Sequence, residues 1–141
     1  MDYSFRKIAV IDDSDLDRYI LARFVSKYAF AKEVIDFNLA QKALGFFTEH
    51  QQNISVLPEL IFLDINMPCV NGFQFLDCFE LFPEAVKKQT RIVMLTSSNN
   101  PFDLEKAFKY ASVCEYYNKP INEDKLKQLI QKLKNIPASV S

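Results

Sequence analysis

Short apolar runs that alternate with helical patterns constrain the fold of this chain more than any other feature. Five such runs occur along the 141 residues, and longer stretches with apolar side chains at helical spacing separate them. The runs are mostly continuous, as in parallel strands that are covered on both faces. We therefore predict an α/β domain with a parallel sheet. The predicted strands are Lys7 to Ile11, Glu33 to Phe37, Leu60 to Leu63, Arg91 to Leu95 and Cys114 to Tyr117.

Polar residues mark where the intervening helices are expected to begin. The predicted starts are Ser14 with Asp17, Asn38 with Gln41, Asn71 before Gly72, Asn100 before Pro101, and Asn122. Apolar stripes then give each helix a buried face. The stripe of the first helix is predicted as Leu16, Ile20, Phe24 and Val25, and that of the last as Leu126, Leu129, Ile130 and Leu133. The segment from Phe82 to Thr90 is long enough for an extra turn of helix.

Composition narrows the class of protein. The length fits one domain, and a net charge of −1 argues against nucleic acid as the main partner. Three cysteines without CxxC spacing and a single histidine make a zinc site improbable, so we interpret the cysteines as reduced, partly buried thiols. No apolar run is long enough for a membrane span or a signal peptide, and we expect a cytoplasmic protein.

Charged and hydroxyl side chains follow the ends of four predicted strands. The first strand ends in Asp12 and Asp13, the third in Asp64, the fourth in Thr96, and Lys119 follows the fifth. In an open parallel sheet these positions share the carboxyl edge. Converging carboxylates repel each other unless a cation intervenes, and Mg²⁺ prefers oxygen ligands. The pattern predicts phosphoryl transfer to a carboxylate, assisted by Mg²⁺ and a lysine.

Each of these residues has a plainer interpretation when taken alone. Asp12 and Asp13 are also a helix-start signal, Thr96 a helix cap, and Lys119 an ordinary solvated lysine. The hypothesis therefore depends on all of them meeting at one edge of the sheet.

Four segments, in this order and spacing, resemble the receiver domain of two-component response regulators. They are Val10 to Asp13, Leu63 to Pro68 with Gly72 four residues further on, Met94 to Ser97, and Tyr116 to Pro120. The resemblance extends from Arg6 to Lys134. It implies a flavodoxin-like (βα)5 three-layer sandwich whose five-stranded parallel sheet has the order 2-1-3-4-5.

The resemblance also implies the metal ligands and the phosphorylated residue. Asp64 would accept the phosphoryl group. Asp13 and Asp64 would bind Mg²⁺ through their carboxylates, and the backbone carbonyl of Asn66 would be a third ligand. Asp12 would orient the water shell of the metal.

Three more residues have implied roles in reaction and response. Lys119 would pair with Asp64 and then with the phosphoryl oxygens. Thr96 would hydrogen-bond the phosphoryl group, and Tyr116 would be the aromatic switch residue that turns inward as Thr96 moves.

The implied function is that of a chemotaxis-receiver-like, stand-alone response regulator that is no enzyme beyond its own phosphorylation and dephosphorylation. A sensor histidine kinase or a histidine phosphotransfer protein would supply the phosphoryl group. An unidentified downstream protein would read the face formed by the fourth helix, the fifth strand and the last helix. We expect a receiver domain over residues 1–135, a flexible tail over 136–141, and no output domain. Phe73, Phe75 and Phe102 are too many to bury together, and an exposed one near the site would favour partner docking.

Three alternatives are less well supported by the residues. An unphosphorylated pseudo-receiver would not need the complete acidic set. A haloacid-dehalogenase-type phosphatase needs a second aspartate two residues after its nucleophile, where this chain has Asn66. A dinucleotide-binding enzyme needs a glycine-rich loop, and Gly45 and Gly72 are the only glycines.

Overall fold

The sheet has five parallel strands in the order β2-β1-β3-β4-β5, as predicted. The structure is a computed structural model that describes residues 3–97 and 99–134. The predicted tail over 136–141 lies outside the described residues. The strands are β1 (Phe5–Ile11), β2 (Ala31–Phe37), β3 (Leu60–Asp64), β4 (Arg91–Thr96) and β5 (Val113–Asn118).

Helices cover both faces of this sheet and complete the expected three-layer architecture. Within the described residues the α-helices are α1 (Asp15–Lys27), α2 (Ala40–His50), α3 (Gly72–Phe79), α4 (Glu84–Gln89), α5 (Pro101–Ala107) and α6 (Glu123–Lys134). A 3-10 helix, Ile54–Val56, precedes β3. Among these helices none has the length and apolar content needed to cross a bilayer.

The side chains of alternate strand residues pack into two separate cores, one on each face of the sheet. Ile8 and Val10 of β1 point to the side that α1 and α6 cover, whereas Ala9 and Ile11 point to the side of α2 and α3. The predicted stripe of the last helix is confirmed, since all four of its leucine and isoleucine side chains are buried. Phe75 lies in the α2–α3 core with a neighbouring group of phenylalanine rings.

The predicted stripe of the first helix was half right, because Val25 is buried and Phe24 packs against the same core, but Leu16 and Ile20 were wrong. Leu16 is 64% exposed and Ile20 is also exposed, whereas Leu21 and Val25 are buried against the sheet. Both pairs have the i, i+4 spacing of one helix face, so spacing alone did not distinguish them. Because α1 begins directly after the acidic end of β1, its first turn faces the edge of the sheet instead of the core.

Side-chain caps begin most of the helices where they were expected. Ser14 Oγ accepts the backbone N–H of Asp17, and Asn71 forms a capping box with Gln74. Asn100 and Asn122 likewise accept backbone N–H groups of their helices. The expected cap at Asn38 was wrong, because α2 begins at Ala40 and the apolar Leu39 occupies the N-cap.

The segment from Phe82 to Thr90 forms a separate helix instead of an extra turn. Pro83 occupies the N-cap of α4, and only Val86 of that helix is buried. Proline at this position favours a break after α3 and a new helical start. The α3–β4 connection and the 3-10 helix both precede strands, so they lie at the amino edge of the sheet, opposite the acidic residues.

Polar side chains close this amino edge by donating hydrogen bonds to backbone carbonyls. Lys7 Nζ lies 2.7 Å from the carbonyl oxygen of Val56, Gln89 Nε2 lies 2.9 Å from that of Ile54, and Thr90 Oγ1 lies 2.8 Å from that of Pro58. Thr90 is buried, and the Lys7 side chain is only 11% exposed. These bonds satisfy carbonyls that the start of the sheet would otherwise leave unpaired.

The cysteines and phenylalanines are distributed unequally between core and surface. All three cysteines are free, but Cys69 and Cys78 are exposed, so the prediction of partly buried thiols holds only for Cys114. Burial raises the pKa of the Cys114 thiol to about 11. Phe73 and Phe75 are buried, whereas Phe102 is 75% exposed.

Candidate functional site

Three aspartates lie together at the carboxyl edge of the sheet, at the ends of the adjacent strands β1 and β3. Asp12 and Asp13 follow β1 directly, and Asp64 is the last residue of the adjacent strand β3. One carboxylate oxygen from each lies within 4.8 Å of the others. Asp12 and Asp64 are 2% and 3% exposed, whereas Asp13 is exposed. The strands β1 and β3 are the topological switch point of this sheet order, where open α/β proteins bind their ligands.

Lys119 reaches into this cluster from the loop after β5. Its Nζ lies 2.6 Å from Asp12 Oδ2, 3.0 Å from Asp17 Oδ2 and 3.4 Å from Asp64 Oδ1. Burial by itself would lower the pKa of Lys119, but hydrogen bonds to Asp12 and Asp17 raise it above its ordinary value. Lys119 is therefore a fixed positive charge at the site.

Lys119 offsets only part of the negative charge around Asp64. Burial, followed by the charge of Asp12, raises the pKa of Asp64 to about 6, although Lys119 lowers it. The described cluster brings together the carboxylates of Asp12, Asp13 and Asp64 beside one ammonium group. Oxygen donors with excess negative charge are the ligand set of a hard divalent cation, so the residues present fit Mg²⁺.

The backbone around Asp64 is held by a close approach of helix α3. The Gly72 N–H donates to the carbonyl of Ile65 at 2.9 Å. A Cβ atom on Gly72 would lie only 2.8 Å from the carbonyl oxygen of Asp64 and 2.9 Å from Ile65 Cα. Glycine is therefore required here for close packing of the helix against the strand end. In the loop that joins Asp64 to Gly72, Cys69 has a φ of 67°, which is in the left-handed region that favours glycine.

The remaining predicted site residues lie at the same edge. Thr96 is the fully buried last residue of β4, and its carbonyl accepts the backbone N–H of Lys119 at 2.7 Å. Asn66 is exposed, and its N–H lies 3.4 Å from Asp64 Oδ1. The structure thus brings the predicted acidic residues, Lys119, Thr96 and Asn66 to one edge.

Tyr116 lies on β5 with its ring turned toward the α2–α3 core. Its hydroxyl is buried and has no hydrogen-bond partner within the described residues. Burial and then the charge of Asp103 raise the pKa of Tyr116. A smaller contribution from the neighbouring Thr96 side chain lowers it.

Sequence reasoning missed two residues of this edge, Asp17 and Arg18. Asp17 was interpreted only as part of a helix-start signal, yet it forms an ion pair with Lys119. Arg18 Nη1 donates to the backbone carbonyl of Asp12 at 2.8 Å, and its Nε lies 2.9 Å from Asp36 Oδ2. The predicted helix start did place Asp17 in the first turn of α1, where side chains lean back toward the strand end, but nothing in the sequence indicated its pairing with Lys119.

Comparison with known proteins agrees with this geometry. The fold is a doubly wound α/β sandwich with an acidic site at its switch point. Residues 8–131 match the family described as "Response regulator receiver domain", and the chain belongs to that family. Receiver domains are signalling modules that interact with histidine kinases or phosphotransfer proteins, so the chain is assigned to two-component signalling.

Individual relatives are distant in sequence but cover nearly the whole chain. A two component response regulator from Cytophaga hutchinsonii has a TM-score of 0.84 and 26% identity, covering 94% of this chain and 98% of that chain. "Probable methanogenesis regulatory protein FilR2" from Methanothrix harundinacea is 24% identical over 132 residues, which is 90% of this chain and 80% of that protein. "Hybrid signal transduction histidine kinase C" from Dictyostelium discoideum is 27% identical over 133 residues, 89% of this chain but 10% of that protein.

Proposed function

We propose that this receiver accepts a phosphoryl group from a phosphohistidine onto Asp64 and passes the signal on by protein contact in the cytoplasm. The observation that carries the proposal is the position of the Asp64 carboxylate. It is buried at the end of β3, 3.4 Å from Lys119 Nζ, and its oxygen belongs to the three-aspartate cluster. A carboxylate so placed is a nucleophile with its charge partners already around it.

In the proposed metal site, the carboxylates of Asp13 and Asp64 and the backbone carbonyl of Asn66 would hold Mg²⁺. Asp12 would act on the water shell of the metal. When bound, Mg²⁺ supplies positive charge that offsets the negative oxygens of the transferring group.

The side chains of the protein carry out the transfer. An oxygen of Asp64 attacks phosphorus in line, and the phosphorus–nitrogen bond to the donor imidazole breaks as the new phosphorus–oxygen bond forms. The Lys119 ammonium stabilises the charge on the phosphoryl oxygens. The product is an acyl phosphate, and its hydrolysis by water returns the Asp64 carboxylate and inorganic phosphate.

The response begins at Thr96, whose hydroxyl would turn to the new phosphoryl oxygens. Tyr116 then occupies the space that Thr96 leaves. Its buried hydroxyl has no hydrogen-bond partner to hold it, which supports its role as a side chain that can move. The phosphoryl charge biases an existing equilibrium between two arrangements of α5, β5 and α6.

A downstream protein would bind one of these arrangements through the face of α5, β5 and α6. The helix α5 is the fourth helix predicted from the sequence. A groove on α5 is lined by Phe102, Glu105, Lys106, Lys109 and Tyr110. The exposed ring of Phe102 beside lysine side chains supports a docking surface for a partner with apolar and acidic groups.

The first experiment is intact mass spectrometry after incubation with acetyl phosphate. With Mg²⁺ present, the parent chain should gain the mass of one phosphoryl group, and a chelator should prevent the gain. Asp64→Asn is the matched control, since it keeps the size of the side chain and removes the nucleophile. If the parent gains no mass, or if Asp64→Asn gains the same mass, the phosphorylation proposal fails.

The alternative function is an interaction module of this fold that is never phosphorylated. The presence of the nucleophile, both other aspartates, Thr96 and Lys119 at one edge disfavours it. It would be supported if the parent and Asp64→Asn both stayed at their starting mass while binding the same partner equally well.

A further inference from the structure

We propose that Asp17 is a positioning residue that aims Lys119 at the phosphoryl group. This inference rests on the proposed function, because it assigns Asp17 a task only if Lys119 acts on Asp64. Lys119 Nζ is 2.6 Å from Asp12 Oδ2, 3.0 Å from Asp17 Oδ2 and 3.4 Å from Asp64 Oδ1. Asp17 is thus closer to the ammonium nitrogen than the carboxylate on which the ammonium is to act.

The geometry follows from the chemistry of an ammonium group. It has three N–H donors and no acceptor, and three carboxylates surround Nζ among the described residues. When Asp12 and Asp17 engage two donors, the rotation of the ammonium is fixed. The third N–H then remains available for the phosphoryl group on Asp64, whose Oδ1 forms an ion pair with Nζ at 3.4 Å.

Asp17 is itself held in place by the start of α1. Its backbone N–H donates to Ser14 Oγ at 3.2 Å, and the Ser14 N–H donates to Asp12 Oδ1 at 2.9 Å. The first turn of a helix also favours a negative side chain. The two anchors of Lys119, Asp12 and Asp17, are therefore connected to each other through Ser14.

Asp17 acts separately from the metal cluster and from the core. The clustered carboxylate oxygens belong to Asp12, Asp13 and Asp64. The Asp17 side chain is 42% exposed, whereas that of Asp12 is 3% exposed. Ion pairs with an exposed partner contribute little to stability, so loss of Asp17 is expected to change the reaction more than the fold.

A competing role for Asp17 predicts the opposite result. If Asp17 drew Lys119 away from the phosphoryl group, its removal would speed phosphorylation. If it merely repelled an anionic donor, its removal would also speed phosphorylation, and high ionic strength would cancel that effect. A positioning role predicts slower phosphorylation at every ionic strength.

The test measures phosphorylation by acetyl phosphate at saturating Mg²⁺ and high ionic strength. Asp17→Ala should slow the reaction by roughly tenfold, as expected when a reacting group is misplaced. Asp17→Asn keeps a hydrogen-bond acceptor and should lose less. Asp124→Ala removes an equal charge from the first turn of α6 and should leave the rate unchanged. An unchanged or faster Asp17→Ala protein would overturn the proposal.

Two further measurements exclude a merely structural role and separate this inference from the proposed function. In a Lys119→Ala background, Asp17→Ala should have no further effect; a second tenfold loss there would show that Asp17 does not act through Lys119. The NMR order parameter of the Lys119 ammonium should fall in Asp17→Ala even without phosphorylation, and rise again in Asp17→Asn. An unchanged order parameter refutes positioning even if the parent is phosphorylated. Absence of mass gain in the parent refutes the proposed function whatever the order parameter shows, so the two failures are distinguishable. Thermal unfolding of each variant verifies that it is folded.

Discussion

The two edges of the β-sheet use polar side chains in opposite ways. At the amino edge, Lys7, Gln89 and Thr90 donate to backbone carbonyls of the segment before β3. At the carboxyl edge, buried carboxylates gather around Lys119 and leave Asp64 with a pKa raised to about 6. One edge pairs donors with acceptors, and the other keeps an excess of negative charge.

This contrast separates the polar side chains that stabilise the fold from those that take part in the proposed phosphorylation. Matched donors and acceptors stabilise the native state, whereas crowded carboxylates lower its stability and create affinity for cations and for a phosphoryl group. Removing the polar side chains of the amino edge should therefore affect unfolding, and removing the charged side chains of the carboxyl edge should mainly affect phosphorylation. Four pairs of variants test this division and the packing around it, in order of decreasing effect.

The largest effect is expected from two half-buried lysines at opposite edges. Lys119→Ala removes the ammonium beside Asp64 and should slow phosphorylation by acetyl phosphate on the order of 10²–10³-fold. Lys7→Ala removes a similarly buried lysine that contacts Val56 and Glu33, and should leave that rate unchanged while lowering stability. Rates come from intact mass against time. Equal slowing in both variants would contradict the division.

The two glycines come next. Gly72→Ala puts a Cβ against backbone atoms of Asp64 and Ile65 and should destabilise the protein by roughly 1–3 kcal/mol, because backbone cannot yield as a flexible side chain does. Phosphorylation should slow as well, since the strand end must shift. Gly45→Ala adds a Cβ in α2 with no described atom within 4 Å and should stabilise by about 0.5–1 kcal/mol. Urea unfolding gives both values, and a neutral Gly72→Ala would refute the close packing.

Thr90 tests the amino edge alone. Thr90→Val keeps the shape of the side chain but removes the donor to the Pro58 carbonyl inside the protein, and should cost about 1–2 kcal/mol. The phosphorylation rate should stay at the parent value. Thr48→Val removes a similar bond to Leu44 on the surface of α2 and should change stability by less than about 0.5 kcal/mol. A slower phosphorylation of Thr90→Val would show that the two edges are coupled.

Two tyrosines should give the smallest effects. Tyr110, before β5, donates to Asp77 Oδ1 at 2.6 Å, so Tyr110→Phe should cost about 0.5–1.5 kcal/mol. Tyr116, nearer the carboxyl edge, buries an unpartnered hydroxyl, so Tyr116→Phe should be neutral or stabilising by about 1 kcal/mol. Chemical denaturation measures both. A larger loss for Tyr116→Phe than for Tyr110→Phe would show that the Tyr116 hydroxyl is used in the resting protein.

Sequence periodicity was sufficient for the sheet because strand runs and their order are local or topological properties. The predicted run Lys7 to Ile11 lies within β1, and Asp64 follows its apolar run at the end of β3. Parallel topology then places strand ends together without knowledge of any side-chain contact. The meeting of Asp12, Asp13, Asp64 and Lys119 was therefore predictable.

Features set by the rotation or tilt of a helix were not predictable in the same way. Leu16 and Ile20 were expected to share the buried stripe with Val25, yet Leu21 lies in the core instead of them, since the helix-start position decides which face turns inward. The contact of Asp17 with Lys119 joins residues 102 positions apart and depends on where a long lysine side chain ends. Neither spacing nor composition carries that information.

The short helix α4 has a practical consequence for measurement. The turn before it includes Leu81, which is 86% exposed, and α4 itself buries only Val86. Chain can be added to exposed turns at little cost to folding, and this turn lies on the far side of the sheet from the aspartates. A fluorescent protein inserted between Leu81 and Phe82 should therefore leave the pocket intact, which would make the molecule visible in living cells without altering its acidic site.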